Sequence, residues 1–322
     1  METLWNSLCI ACLALSSDGH YCIIIVAAVN AEIANQNHPR HNGVALVALP
    51  TALLALEFPV SLSWKSLTFL DLRHNMLEGP LPPSICDSEN LKYLLLAENK
   101  LNGTIPQCLG SFSNRLKVLD LQKISFRGMI PTTFKHDNQL RILNLNGNQL
   151  EGPLPRSLIN CKNLQVLDVG NNKICDASPV WLETLPELHV LILKSNRFQG
   201  PIATSKTKLP FPKLRIFDIS HNEFTGILPA DLPKNFRAMT SLDSRKELEY
   251  IGNRFYYVDS VTLVMKGKET EFVRVLKLFT AVDLSSNKFS SEIPKSIGNL
   301  ISVRLLNFSH NGLQGSIPAN TR

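Results

Sequence analysis

Apolar and polar positions alternate over short stretches of this chain and then recur as one phrase. Its clearest copy is Leu67-x-x-Leu70-x-Leu72-x-x-Asn75-x-Leu77-x-Gly79-x-x-Pro82. Leu70 and Leu72 alternate with Asp71 and Arg73, which predicts a short strand with one apolar and one polar side. Leu67 and Leu77 point to the same apolar side. A single turn of this kind cannot enclose a core, so the pattern predicts coils that close one by stacking. The asparagine slot falls at Asn75, Asn99, Ile124, Asn148, Asn172, Asn196, Asn222, Asn287 and Asn311. Successive slots lie 24, 25, 24, 24, 24, 26, 65 and 24 residues apart, so the long gap holds one regular coil and an insert of about 41 residues.

The register extends beyond the leucines. Two residues after the slot stands Leu, Ile or Phe in every copy, and seven after it stands Pro in all but one, where Ala203 replaces it. Four after it stands Gly, replaced only by Asp176 and Ser291. A period of 20–29 residues with this spacing is the signature of leucine-rich repeats, each repeat one strand-bearing turn of a horseshoe. The asparagine sits where the chain leaves the strand, and its amide has donors and an acceptor for stranded backbone groups. Lys123-Ile124 replaces the polar pair in the third coil, which predicts a local gap in the asparagine ladder and no break in the solenoid.

The chain divides accordingly. Residues 1–57 lack the phrase and hold two apolar stretches, Tyr21 to Val29 and Val44 to Leu56, both shorter than the ~18 residues of a membrane span. Leu4 to Leu15 has the length of a signal-peptide core, but Glu2 precedes it and no basic residue does. The segment is read as a degraded leader or non-native sequence. Residues 58–232 hold seven coils, and 233–275 lose the period and end in two β-prone runs around Lys266-Gly267, the pattern of a hairpin. Residues 276–322 hold two coils with no polar cap, as in a fragment.

A net charge of +6 on 33 basic and 27 acidic residues, without a basic run, argues against nucleic acid as a partner. Seven cysteines leave at least one unpaired in a monomer. Cys86 and Cys108 fall near each other on adjacent coils and are candidates for a disulfide. Cys161 and Cys175 fall on nearly opposite sides of theirs. Cys9-Ile-Ala-Cys12 has no second half and lies in apolar sequence, so zinc or redox chemistry is not expected there. Two glycosylation acceptors occur, at Asn102 and Asn307. No nucleotide-binding, hydrolase, zinc-protease or kinase motif is present, so neither an enzyme nor a cofactor is expected. His74, His221 and His310 share one slot on three coils, the pattern of a solvated strand edge.

The usable surface is the concave sheet. One of its columns is acidic in five of nine coils, at Asp71, Asp120, Asp168, Asp218 and Asp283. Stacked like charges repel, so this column either serves a basic ligand or reflects the fitness of Asp for a solvent-facing strand. Leu95 and Ile192 interrupt it, and exposed apolar groups on a polar strip predict contact with a partner.

With repeats and insert assembled, the chain resembles plant leucine-rich-repeat receptor-like proteins, kinase-less cell-surface receptors of defence and development. The resemblance rests on Leu101-Asn-Gly-Thr-Ile-Pro106, Leu313-Gln-Gly-Ser-Ile-Pro318, Ser84-Ile-Cys86, Ile105-Pro-Gln-Cys108, Trp181-Leu-Glu-Thr-Leu-Pro-Glu187 and the island-like Tyr256-Tyr257-Val-Asp259-Ser260-Val261-Thr262 with Lys266-Gly267. It covers about residues 60–322, corresponding to the membrane-proximal, C-terminal part of such an ectodomain. The implied fold is an α/β-type repeat solenoid, a plant-type horseshoe with a parallel concave sheet, short 3-10 or irregular convex segments and one island insertion.

The resemblance implies a non-enzymatic module at the extracellular face of the plasma membrane. Such a module binds a peptide or protein ligand and a leucine-rich-repeat co-receptor kinase. Carried onto this chain, ligand contacts fall to Tyr256, Tyr257, Lys266, Asp218 and His221, with Ile192 and Lys194 added from the concave column. Co-receptor contacts fall to Asp283, Ser285, Asn307 and Ser309. The family's signal peptide, N-terminal cap, early repeats and transmembrane helix have no counterpart here. Rival readings are a secreted inhibitor of microbial wall-degrading enzymes, against which the insert argues, and an inactive truncated receptor.

Overall fold

A computed structural model describes Lys65, residues 67–111, 114–204, 207–240 and 279–319, and the strands Ile23–Val26, Val44–Ala48, Leu56–Glu57, Val261–Met265 and Lys268–Phe272. Each of the nine coils contributes one short strand to a single parallel sheet, from Leu67–Asp71 and Tyr93–Leu95 through to Ala281–Asp283 and Leu305–Asn307. The register never slips between coils: Leu70 pairs with Leu94, Leu94 with Leu119, and so on to Val282 with Leu306. Equivalent side chains therefore stack one strand spacing apart, ~4.8 Å.

The sheet extends beyond the first phrase. Val44–Ala48 pairs in parallel with Leu67–Asp71, with a shift of register between Val44 and Ala45, and Ile23–Val26 pairs with Val44–Ala48. Leu56–Glu57 likewise pairs with Leu77–Glu78. These runs lie in the segment expected to stand outside the repeat. They lack its asparagine and glycine, yet their backbone groups supply the ladder partners that an open parallel edge leaves free.

Chain reversal uses two left-handed residues per coil. The residue before the asparagine has φ between 50° and 70° in all nine coils, whether it is His74, Lys123, Gly147 or Ser286. The glycine four after the asparagine has φ near 80° in its seven occurrences, a conformation that L side chains rarely adopt. The two exceptions resolve differently. Ser291 keeps the left-handed form, at φ 74°. Asp176 does not adopt it, and its carboxylate instead accepts the Leu154 and Ala177 N–H groups. At that coil the second sheet divides into a six-stranded part ending at Lys173–Ile174 and a four-stranded part beginning at Gln199–Pro201.

The proline that follows opens the convex side, and 3-10 turns start directly after Pro82, Pro106, Pro155, Pro179 and Pro294. Cys86 and Cys108 lie in the first two of these turns and form a disulfide, Cα–Cα 6.0 Å. Cys161 is free and buried, and Cys175 is free and exposed.

The core is a column of leucines that gives way to phenylalanine towards the insertion. Phe198, Phe224 and Phe289 stack with centroids 6.1 and 6.2 Å apart. Beside them runs the amide ladder. Asn172 Oδ1 accepts the Leu150 N–H of the coil before, and its Nδ2 donates to Leu145 O and Val169 O. Asn99, Asn148, Asn196, Asn222, Asn287 and Asn311 each make the equivalent bonds. Ile124 is buried in the third coil and supplies no such rung, while the coil keeps its register.

Candidate functional site

The concave face presents four columns, one residue per coil in each. The first is apolar throughout, from Phe69 and Tyr93 to Ala281 and Leu305, and its central members are almost wholly buried. Branched side chains held one strand spacing apart shield one another. Leu95 and Ile192, expected as exposed apolar contacts in the second column, are both 0% exposed and join this cluster. Strand alternation tells which side a residue faces, and crowding on that side decides whether solvent reaches it.

The second column carries the carboxylates, and their oxygens serve the backbone. Asp71, Asp120, Asn144, Asp168, Asp218, Asp283 and Asn307 each accept the N–H two residues on, where the strand ends before its left-handed residue. Asp and Asn suit this slot because their short side chains close such a turn. This use accounts for the acidic column without a basic ligand.

What distinguishes the carboxylates is the fate of the second oxygen. Asp71 meets Arg73 in a bidentate pair. Both oxygens of Asp168 receive Asn146 Nδ2, at 3.0 and 3.2 Å, and Lys194, only 2% exposed, acts on it as a nearby positive charge. Gly170 keeps this cluster possible, since a Cβ there would lie 2.9 Å from Asn146 Nδ2 and 3.1 Å from Lys194 Cγ. Asp283 Oδ2 receives Asn307 Nδ2 at 3.0 Å.

Asp218 differs. Its Oδ1 accepts both the N–H and the hydroxyl of Ser220, but its buried Oδ2 has no hydrogen-bond donor. Register explains this: its neighbours in the column are Ile192, which has nothing to donate, and Asp283, which is itself an acceptor. Burial first, and then the charge of Asp283, push the Asp218 carboxyl up to about 7, against the opposing effects of Ser220 and Lys194.

The fourth column is the left-handed ridge at the rim. There His74 Nδ1 and Lys123 Nζ each lie 2.7 Å from the Glu98 carboxylate, and the Lys123 bond is the main cause that lowers its pKa. His221 and His310 occupy the same ridge and are exposed.

The candidate contact residues therefore separate. His221 and Ser309 are exposed, and Asn307 is half-buried with its amide on Asp283. Asp218, Ile192, Lys194, Asp283 and Ser285 are buried, which corrects the expectation that these positions are open to a partner. Asp283 Oδ1 accepts the N–H and hydroxyl of Ser285 at its own strand end, and its Oδ2 accepts Asn307 Nδ2 of the next coil. Tyr256, Tyr257 and Lys266 lie outside the described residues. Flanking Lys266, Val261–Met265 pairs antiparallel with Lys268–Phe272, with Met265 opposite Lys268. Asn102 is exposed on the strand Lys100–Thr104. Among the described residues no group of three or more His, Cys, Asp or Glu could hold a metal, and no helix is long and apolar enough to cross a membrane.

Comparison with known proteins matches this geometry to repeats and receptors. The Leucine Rich Repeat family matches residues 66–88, 90–112, 213–235 and 279–300, and a two-copy form of it matches 138–183. Receptor-like protein 32 of Arabidopsis thaliana is 44% identical over 73% of this chain and 27% of its own length. Receptor-like protein 36 of the same plant is 48% identical over 75% of this chain and 34% of its own. The chain thus spans about a fifth to a third of the curated relatives it matches.

Among solved structures, the plant peptide hormone receptor RGFR1 in complex with RGF2 is 25% identical, with TM-score 0.66 over 86% of this chain and 38% of that one. The Arabidopsis receptor kinase HAESA, in complex with the peptide hormone IDA and the co-receptor SERK1, is 29% identical, with TM-score 0.63 over 85% and 37%. A plant ice-binding protein at 23% identity shares the fold alone, with TM-score 0.53 over 78% of this chain and 66% of that one.

Proposed function

The chain belongs with the plant leucine-rich-repeat receptor-like proteins, and from that premise we propose that it is a recognition module for an extracellular peptide or protein ligand. One observation carries this reading: two receptor ectodomains solved with peptide hormones share the stacked fold over about 85% of the chain. The ligand lies along the concave sheet and its ridge. His221 and Ser309 offer exposed polar groups there, Asn307 stands at the end of the last strand, and the inserted segment adds Tyr256, Tyr257 and Lys266. Asp218, Lys194, Asp283 and Ser285 act from beneath, by fixing the strand ends and the local charge. A co-receptor kinase meets the final coils near Asn307 and Ser309, at the extracellular face of the plasma membrane.

The reading is tested by selecting a displayed peptide library against the whole chain and against a variant lacking residues 241–275, which keeps the buried Phe236 and Met239. Enrichment on the whole chain that fades on the variant is expected. Enrichment of the same peptides on both removes the insertion from the site, and enrichment on neither removes the proposed function.

A further inference from the structure

Away from the concave sheet, where coil 7 gives way to the insertion and coil 8 resumes the repeat, the convex side holds a cavity of about 300 Å³. Its walls are tied down. Phe236 and Met239, at the root of the insertion, are buried in the core, and Ser302 N–H donates to Met239 O across to the last coil. Ser296 Oγ donates to Ala230 O, joining coil 8 to coil 7. Leu209, Pro210 and Pro233 supply an apolar lining, and Leu209 is 55% exposed there.

Two cations stand at this cavity, Lys234 and Arg237, both exposed, with the Asn299 amide beside them. Among the described residues no carboxylate lines it. Four exposed lysines of the solenoid pair with acids of the neighbouring coil, in Lys100–Glu78, Lys123–Glu98, Lys213–Glu187 and Lys288–Glu223, whereas the exposed Lys135, Lys162, Lys173 and Lys295 form no such pair among the described residues. Among the described residues Lys234 and Arg237 have no such partner. An apolar hollow at the lower end of ligand-pocket sizes, ~300–1,000 Å³, with two unneutralised donors of positive charge, selects its occupant by chemistry.

We propose that this cavity is a second binding site, separate from the concave face, for a carboxylate carried on a small apolar body. The apolar body displaces water from the Leu209, Pro210 and Pro233 wall. The carboxylate takes charge-assisted bonds from Lys234 and Arg237, which are stronger than bonds between neutral groups. Such a group comes either as a free small acid or as the terminal residue of a peptide.

The test is calorimetric and ligand-observed NMR titration of the full chain with 3-phenylpropanoate and its neutral amide. A parallel arm uses N-acetyl-Gly-Gly-Phe with a free and an amidated terminus. The acid form is expected to bind roughly tenfold more tightly than the amide in at least one arm, and the arm that binds identifies the source. The double variant Lys234→Gln, Arg237→Gln should bind the acid roughly tenfold more weakly and lose the preference. Both side chains are exposed, so an unchanged melting temperature certifies the fold, and Lys100→Gln, a paired lysine of the second coil, should leave binding intact. Equal affinity for acid and amide, equal affinity of native and double variant, or binding in neither arm would overturn the proposal.

Discussion

The regular coils 4 to 6 and the junction of coils 7 and 8 are stitched alike on the core side and differ on the concave side. At the junction Asn287 Oδ1 accepts the Phe224 N–H at 3.1 Å and Nδ2 donates to Ile219 O at 3.0 Å, although 63 and 68 residues separate the partners. In coils 4 and 5 Asn172 does the same across 22 and 27. The inserted chain therefore costs the ladder nothing. On the concave face, however, Asp168 finds Asn146 and Lys194, whereas Asp218 lies between Ile192 and Asp283 with one oxygen unserved. A repeat protein can splice a segment into its stack without loosening the stack, and the imbalance appears among side chains that have no fixed partner in the repeat.

The comparison breaks first at the phenylalanines. Phe224→Ala should cost about 3–5 kcal/mol, because the ring is stacked from both sides across the junction. Leu150→Ala in the regular coils should cost about 2–5 kcal/mol. Denaturant melts of the two variants give both numbers. A junction held loosely by its insert would show a much smaller loss at Phe224.

Asp218→Asn comes next, and its sign depends on pH. The native carboxyl is raised to about 7, chiefly by burial and then by Asp283. The folded state therefore keeps a proton that the unfolded chain releases near pH 4. Its contribution to stability is complete below that pH and is lost as pH rises through about 7. Melting temperatures of the native chain should thus fall from pH 5 to pH 8 relative to Asp218→Asn. The difference at pH 8 should be on the order of 3–4 kcal/mol in favour of the variant. Asn is compatible with the column, as Asn144 and Asn307 show. Parallel curves for the two proteins would place the unserved oxygen in contact with a donor.

Asn287→Ala and Asn172→Ala should each cost about 2–3 kcal/mol, from buried backbone groups left unpaired. The two values should agree within about 1 kcal/mol. A clearly smaller effect at Asn287 would show that the junction is not stitched as the regular coils are. The smallest effect is a gain. Ser291→Gly relieves a serine at φ 74° in the slot where seven coils carry glycine, and should stabilise by about 1 kcal/mol, read as a raised melting temperature.

Much of this architecture was legible beforehand. The nine slots placed the coils from Leu67 onward but not the strands Ile23–Val26 and Val44–Ala48 that extend their sheet, the polar-pair substitution at Ile124 located the missing rung, and the offsets of Cys86 and Cys108 marked them as a candidate disulfide. The concave face was read less well. Alternation marked Leu95 and Ile192 as facing outward, but burial there depends on what stands beside them on the neighbouring strands. The acidic column was visible, whereas its use as a strand-end cap follows from backbone geometry two residues on. Gly147 and Asn171 were the available hints that the slot before the asparagine is left-handed. The other residues at that slot, such as His74 and Glu98, concealed it.

The central claim, recognition along the concave sheet and ridge, is tested most directly by photo-crosslinking. A library-selected peptide carrying a diazirine at each position in turn is bound to the full chain and the adducts are mapped by mass spectrometry. The account predicts adducts on the ridge and final strands, at or beside His221, Asn307 and Ser309. Adducts confined to the convex turns, such as Arg156–Asn160 and Lys295–Asn299, would contradict it.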